Sequence, residues 1–500
     1  MKTLAHRAMA SYIPAFILFV LTFVQSIVLV PVFLQYWGSE KYSVWLTLYA
    51  FITLMRTLDL GHQNYIGNEF SKLYHSDKRA ASGLLGSSVR VALLLGVFEL
   101  LVYVVICLCG YHKSAVGIDL QQYHVSDGII AFLIMWLLTG SVGGLITRML
   151  YPVGKYSVTN YFGLLIKVGE LVAILVGVYL KLSINQLCIV VASTWFVYNA
   201  YTFIVIRRIM PDFFPWWKDG SWKAGFNNLK KSVVLTFNGF IEQFNTNGLI
   251  LLVSHTAGLL VVPVFTTVRT VGNTFMQVSN LMLNPLAPEL VRYYVKGEKE
   301  KIIATIEANW FITGLIINVP VILILPFLEF IYTWWTKGKL PFNPVLLYTI
   351  LLSIAVVNSG KSFVTVLTSI NELKSVLIIT ICRFILTYGF SILLLKYFGL
   401  SGLGVSMLAA EVVSSGYLPA NFVYKLLGLK ANILQNKMRL LSILQIILLG
   451  AVLFAQLVWP GLKVFIFAIG FITTISISLL QWKGLDADVR KRLISLVRKK

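Results

Sequence analysis

Acidic residues are scarce in this chain, with 20 Asp and Glu among 500 residues against 42 Lys and Arg. Charged residues of both signs reach only 12%, where a soluble domain carries about 25%. With 58% hydrophobic residues and a mean hydropathy of +0.81, the composition excludes a soluble globular protein. It points to an integral membrane protein of many α-helical spans. The alternating ten-residue segments of a membrane β-barrel are missing; the apolar runs are continuous and about 20 residues long. Cysteine is rare too. Cys107, Cys109, Cys188 and Cys382 all fall in apolar runs, with neither metal-ligand spacing nor a disulfide framework, and read as small core residues. There is no P-loop, no glycine-rich nucleotide turn, no Ser/His/Asp grouping and no metal-ligand cluster. Catalytic residues, a cofactor and a metal are therefore not expected, nor is transport powered by ATP bound to this chain. The six histidines are scattered, mostly in loops. No cleavable signal peptide is read, because the first apolar run, from Tyr12 to Phe33, is too long and lacks a small-residue cleavage site.

Fourteen spans are expected. The first six lie at about 10–35, 42–61, 82–109, 128–150, 158–180 and 184–206. The next six are at about 232–255, 259–288, 302–330, 345–370, 375–396 and 400–424, and two more follow at about 438–459 and 462–482. With the N-terminus in the cytoplasm, 29 Lys/Arg fall on the cytoplasmic side and 7 on the other, alternating loop by loop. That asymmetry predicts cytoplasmic N- and C-termini. It also explains the net charge of +22 without nucleic acid, since the bases sit in short loops between apolar runs.

The loop 208–231 divides the spans into halves. It carries Pro211, Pro215 and the aromatics Phe213, Phe214, Trp216, Trp217 and Trp222 among basic residues, a composition suited to the headgroup region. The halves echo each other at an offset of 220. Gly38 matches Gly258, Trp45 aligns with Phe265, Asn64 matches Asn284, Glu69 matches Glu289, Lys72 aligns with Arg292, and Tyr74 matches Tyr294. A parallel internal duplication is the reading, with a pseudo-twofold along the membrane normal. The expected domains are a six-helix lobe at 1–207, the interfacial linker at 208–231, a second pseudo-symmetric six-helix lobe at 232–427, two further spans at 428–482 and a basic tail at 483–500. In the tail, Leu485, Val489, Leu493, Leu496 and Val497 form one stripe, an amphipathic helix suited to the anionic inner leaflet.

Two segments carry a family resemblance. The run Tyr36-Trp37-Gly38-Ser39-Glu40-Lys41-Tyr42-Ser43-Val44-Trp45, with Leu58-Asp59-Leu60-Gly61 after it, resembles the span 1–2 region of the O-antigen and polysaccharide flippases of the MOP (multidrug/oligosaccharidyl-lipid/polysaccharide) exporter superfamily. The run Asn284-Pro285-Leu286-Ala287-Pro288-Glu289-Leu290, followed by a basic loop with Gly297, is similar to that family's span 8–9 junction. The resemblance covers about the first 425 residues. It implies a bacterial inner membrane protein that moves undecaprenyl-diphosphate-linked oligosaccharide from the inner to the outer leaflet. The implied partners are the lipid-linked oligosaccharide diphosphate, membrane lipids, polysaccharide assembly proteins and, as in related drug exporters, a coupling proton or sodium ion.

Six bases lie several residues inside the expected spans: Arg56, Arg90, Lys167, Arg269, Lys361 and Arg383. Each costs about 2.5–3.5 kcal/mol to insert at a helix centre. Keeping six of them implies a water-filled cationic cavity, and guanidinium groups grip diphosphate oxygens bidentately. Arg269, Lys361 and Arg383 attract most notice, with Arg90 and Lys167 comparable in the first half and Arg56 placed to snorkel. The intramembrane acids include Asp59, Glu170, Glu242 and Glu411. Arg56/Asp59 and Lys167/Glu170 are i, i+3 pairs, which read equally as packing ion pairs. Span 7 is unusually polar: Asn238, Glu242 and Asn245 suit sugar contact, with Glu242 a coupling carboxylate, or else interhelical hydrogen bonds. The expected function is a flippase working by alternating access around a central cationic cavity. The rivals are an ion-coupled multidrug exporter and a membrane glycan polymerase or ligase; the short external loops at 110–127 and 331–344 lack an acid/base constellation for the latter.

Overall fold

A computed structural model describes residues 2–109, 123–283, 287–370, 372–429, 436–487 and 489–491. Among these residues the chain is helical and contains no strand. A backbone in lipid can satisfy its N–H and C=O groups only within the segment, and the long apolar runs fold accordingly. Eleven helices among the described residues are long and apolar enough to cross a membrane. One of them, Leu373–Leu426, is 54 residues long and doubles back at Gly399, whose φ of 56° and ψ of −144° interrupt the helix. Spans 11 and 12 expected from the sequence are its two arms.

The chain divides into two compact units, Met1–Pro263 and Val264–Lys500. The first opens with α1 (Lys2–Tyr36), α2 (Gly38–Met55), α3 (Leu60–Ser76) and α4 (Lys78–Leu108). Gly38 has φ 77°, and Gly258, 220 residues further on, has φ 96°. Both backbones need the left-handed region that glycine tolerates. Then come α5 (Ser126–Met135), a π-helical turn at Trp136–Gly140 and α6 (Ser141–Arg148). The helices α7 (Tyr156–Tyr179) and α8 (Ile184–Ile209) follow. A capping box starts α8: Ser183 Oγ accepts from Gln186 N at 3.2 Å, and Gln186 Oε1 accepts from Ser183 N at 2.9 Å. Helix α9 (Trp222–Gln243) passes through a π turn at Phe244–Gly248 into α10 (Leu249–Thr256). This polar span packs on α2, α3 and α4 and so belongs to the first compact unit.

The second unit contains α11 (Val262–Leu283) beyond its first turn, α12 (Ala287–Val295) and α13 (Lys299–Thr313). A π turn at Gly314–Asn318, α14 (Val319–Ile324), a 3₁₀ turn at Leu325–Phe327 and α15 (Leu328–Trp335) continue the same span. Pro320 and Pro326 sit at these breaks, where a missing N–H is tolerated. Asn343 caps α16 (Pro344–Ser369), accepting from Leu346 N at 3.0 Å with Pro344 in the first turn. Next are α17 (Leu373–Glu411), a π turn at Val412–Tyr417 and α18 (Leu418–Leu426), then α19 (Lys437–Val458) and α20 (Lys463–Gly484). Helix α16 lies at the centre, against α17, the 412–417 turn, α18 and α19. Gly360 on α16 meets the backbone of Ser415 so closely that a Cβ would collide with it.

In the tail, Leu485 is buried and Val489 packs beside it on the second unit's core. The rest of the expected amphipathic helix, with Leu493, Leu496 and Val497, lies outside the described residues, as does Asn284-Pro285-Leu286.

Candidate functional site

In the first unit, polar groups gather where α2 breaks before α3. Tyr49 on α2 donates its hydroxyl proton to Glu170 Oε1 on α7 at 2.6 Å. Lys167 Nζ lies 3.3 Å from Glu170 Oε2. Glu170 is 1% exposed, so its charge is held by a phenol and an ammonium inside the helix packing. The i, i+3 pairing expected for Lys167/Glu170 is present. The second expected pair is not: Arg56 makes no ion pair with Asp59. Its guanidinium instead stands 4.1 Å from the ring centroids of both Trp136 and Trp195, with Phe132 at 5.8 Å. Contact with two indole faces offsets part of the cost of burying the guanidinium. Asp59 and Glu99 are 0% and 1% exposed, and none of their carboxylate oxygens has a hydrogen-bond partner.

Arg148, at the end of α6, is a base that the sequence did not single out. It donates to Asn64 Oδ1 at 2.6 Å, to Gln63 Oε1 at 3.0 Å and to Gly144 O at 2.6 Å, tying the end of α6 to α3. Arg90 on α4 reaches the linker, donating to Gly220 O at 2.9 Å and Trp217 O at 3.4 Å. Ser87 Oγ accepts from Ser221 N at 3.0 Å, and Ser82 donates to Asp219 Oδ2 at 2.7 Å. In the polar span, Glu242 is exposed. Asn238 Oδ1 and both polar side-chain atoms of Asn245 are buried without a hydrogen-bond partner. Asn245 sits in the π turn, a helix irregularity that often accompanies function.

The second unit holds Arg269 on α11, Lys361 on α16 and Arg383 on α17. Arg383 Nε is 3.1 Å from Glu411 Oε1, and Nη2 donates to Ser415 Oγ at 2.9 Å. Ser414 and Ser415 both donate to Glu411 Oε2. Arg269 lies 5.7 Å from the ring of Phe265. Lys361 differs from both. Its Nζ is buried and has no hydrogen-bond partner, and no carboxylate among the described residues pairs with it. A helical Lys–Glu or Lys–Asp spacing would have revealed such a partner in the sequence; none exists there. The structure therefore brings Arg383 and Glu411 together, leaves Lys361 uncompensated, and gives Arg56 and Arg90 partners that local spacing could not disclose.

No protein-family model matches the chain, and no curated protein matches its sequence. The fold does have known counterparts. An inward-facing multidrug resistance MATE family transporter of the MOP superfamily superposes with a TM-score of 0.58 at 16% identity, covering 82% of this chain and 95% of the other. An outward-facing conformation of a MATE family transporter gives 0.57 at 15% identity, covering 84% and 96%. A MOP superfamily transporter from Pyrococcus furiosus, described as having a binding pocket of reverse polarity that suggests a different function, gives 0.50 at 14%, covering 85% and 95%. The chain thus has the fold of the MOP-superfamily transporters, a multi-span integral membrane architecture.

Proposed function

We propose that the protein is a flippase for an anionic lipid-linked oligosaccharide diphosphate, operating by alternating access in a bacterial inner membrane with both termini cytoplasmic. The observation that carries this reading is Lys361, a buried ammonium with no partner among the described residues. An uncompensated buried charge is costly, and a transient anion offsets that cost. Arg269 and Arg383 add cationic groups to the same unit, where a diphosphate could accept from their guanidinium forks. Asn238 and Asn245 have spare hydrogen-bonding capacity for the hydroxyls of a glycan. Among the acids, Asp59 is the better coupling carboxylate: Glu170 and Glu411 are ion-paired and Glu242 is exposed. A coupling proton or sodium ion and the polysaccharide assembly proteins remain part of the proposal.

The test is a cell assay in which the chain is the only flippase for its glycan. Lys361→Gln should lower export at least tenfold at equal membrane abundance, with lipid-linked glycan accumulating on the inner face. The Arg269/Lys361/Arg383 triple neutralisation should abolish export. Intact export in the triple variant would sink the assignment.

A second reading, ion-coupled drug export, has one observation behind it: Asp59 and Glu99 could attract an organic cation. It requires drug susceptibility to rise when the gene is deleted.

A further inference from the structure

The segment Leu259–Asn280, most of it helix α11, is the least apolar of the eleven membrane-length segments, and its polar residues are not scattered. Thr266, Arg269, Thr270, Asn273, Gln277 and Asn280 recur at the spacings of one helix face. At about 100° per residue, all six fall within an arc of about 100°, and no apolar residue between 266 and 280 enters it. The stripe runs for about 21 Å at 1.5 Å per residue.

The rest of the helix is packed. Val264, Phe265 and Val268 are at most 4% exposed. Thr267 Oγ1 lies 3.1 Å from the Tyr332 hydroxyl on α15, and a Cβ at Gly272 would press on Ile350 and Ile354 of α16. The striped face is uncovered: Asn273 and Asn280 are exposed, and the other four are half-buried.

An uncovered face of a membrane span meets lipid or water. Where this chain meets lipid it shows apolar side chains; on α4, Phe98 is 52% exposed and Leu101 and Val105 are 55% exposed. On α11, no large apolar side chain from 262 to 280 is exposed among the described residues. Carboxamides facing hydrocarbon would forfeit their hydrogen bonds to water, so this face lines water. The middle of the span falls at Arg269 and Thr270, so the wet stripe passes through the hydrocarbon depth and does not merely cap one end.

The chemistry of the stripe selects its ligand. Thr270 Oγ1 donates to Thr266 O at 2.8 Å, which leaves its oxygen free to accept. Asn273, Gln277 and Asn280 each carry two N–H donors and an acceptor oxygen. The stripe holds no acid, and its one charge is Arg269, which does not suit an organic cation. It suits a neutral, hydroxyl-rich chain joined to an anion. The three carboxamides stand about one helical turn apart, roughly 5 Å, a rise close to the length of one sugar residue.

We propose that Asn273, Gln277 and Asn280 form a hydrogen-bonding track that holds successive sugar residues of the glycan, with Arg269 towards its anionic end. The track rests on the flippase reading above and deepens it by giving the glycan a place on α11.

The first test asks whether the stripe is wet, whatever the substrate. In full-length protein with its four native cysteines replaced by serine, single cysteines are introduced and an anionic, membrane-impermeant methanethiosulfonate is the probe. Asn273→Cys and Gln277→Cys should react at least tenfold faster than Phe98→Cys, which is exposed to lipid, and Val268→Cys, which is packed. Equal or inverted rates overturn the proposal. The second test measures glycan export in cells that depend on this chain for it. Asn273→Leu/Gln277→Leu/Asn280→Leu should lower export at least tenfold at equal membrane abundance. Gln277→Asn, which keeps the carboxamide, should retain more than half. Wild-type export by the triple Leu variant overturns the track and leaves the flippase reading standing, since Lys361→Gln tests that reading separately. Export that survives deletion of the gene removes the flippase reading, and the glycan with it.

Discussion

The hydroxyl of Tyr49 and the carboxylate of Glu170 meet at 2.6 Å across 121 residues of sequence, and Lys167 holds the second carboxylate oxygen at 3.3 Å. Glu170 is therefore the hub of a buried triad linking α2 to α7. Breaking a buried pair from one side leaves an uncompensated charge, typically at a cost of about 3–5 kcal/mol. Losing one hydrogen bond to a charged group costs about 1.5–3 kcal/mol. Lys167 is a third exposed, so solvent moderates its part. Lys167→Met should destabilise more than Tyr49→Phe, and Lys167→Met/Glu170→Gln less than Lys167→Met alone. Thermal unfolding in detergent checks the order; additive effects would dissolve the triad.

Arg383 has two separable roles, pairing with Glu411 and offering its charge to a substrate. Glu411→Gln removes the pair but leaves the guanidinium with Ser415. It should lower the melting temperature by several degrees while retaining most export. Arg383→Gln should lose export at least tenfold. The double variant should recover stability over Arg383→Gln, because Glu411 no longer keeps a half-buried charge without its ion pair, without recovering export. Recovery of export in the double variant would make Arg383 a packing residue only.

Much of the fold was legible because lipid permits so few backbone solutions. Apolar runs of about 20 residues became helices, and the expected spans coincide with the observed ones to within a helical turn or two at most ends. Local spacing was a poorer guide to the polar groups. It identified Lys167/Glu170, which lies on one helix, but it paired Arg56 with Asp59. The indoles of Trp136 and Trp195 arrive from distant helices and offer Arg56 a face that no carboxylate matches. Tyr49 and Arg148 were likewise hidden, because Glu170 and Asn64 lie dozens of residues away. The π turns left no hydropathy signal at all. Arg383 and Glu411 were singled out separately, and only the fold of α17 at Gly399 brings them together.

Arg90 fastens the linker to α4. Its guanidinium spans two carbonyls, Gly220 O and Trp217 O, and Gly220, with φ 131°, fits tightly against Ser87. Lysine has one compact charge and cannot reproduce that fork. Arg90→Lys and Arg90→Ala should both raise protease cleavage at residues 217–221 several-fold, with Arg90→Lys intermediate. Hydrogen exchange of the Ser221 amide should accelerate in parallel. An unchanged cleavage rate in Arg90→Ala would show that Ser82 and Ser87 hold the linker without it.

Arg56 depends on its two aromatic neighbours. Cation–π contacts contribute about 0.5–1 kcal/mol when exposed and about 2 kcal/mol or more when desolvated. Both rings stand 4.1 Å from the guanidinium carbon, so the pair should reach the upper end of that range. Trp136→Leu and Trp195→Leu each keep apolar bulk while removing the quadrupole. In double-mutant cycles with Arg56→Met, each should couple by about 1–2 kcal/mol. Arg56→Lys should retain less than half of that coupling, since an ammonium cannot stack its plane between two indoles. The two tryptophans should also fluoresce more strongly once the guanidinium is gone. Zero coupling in both cycles, with unchanged fluorescence, would mean that Arg56 is held by backbone geometry at the α2–α3 break rather than by the rings.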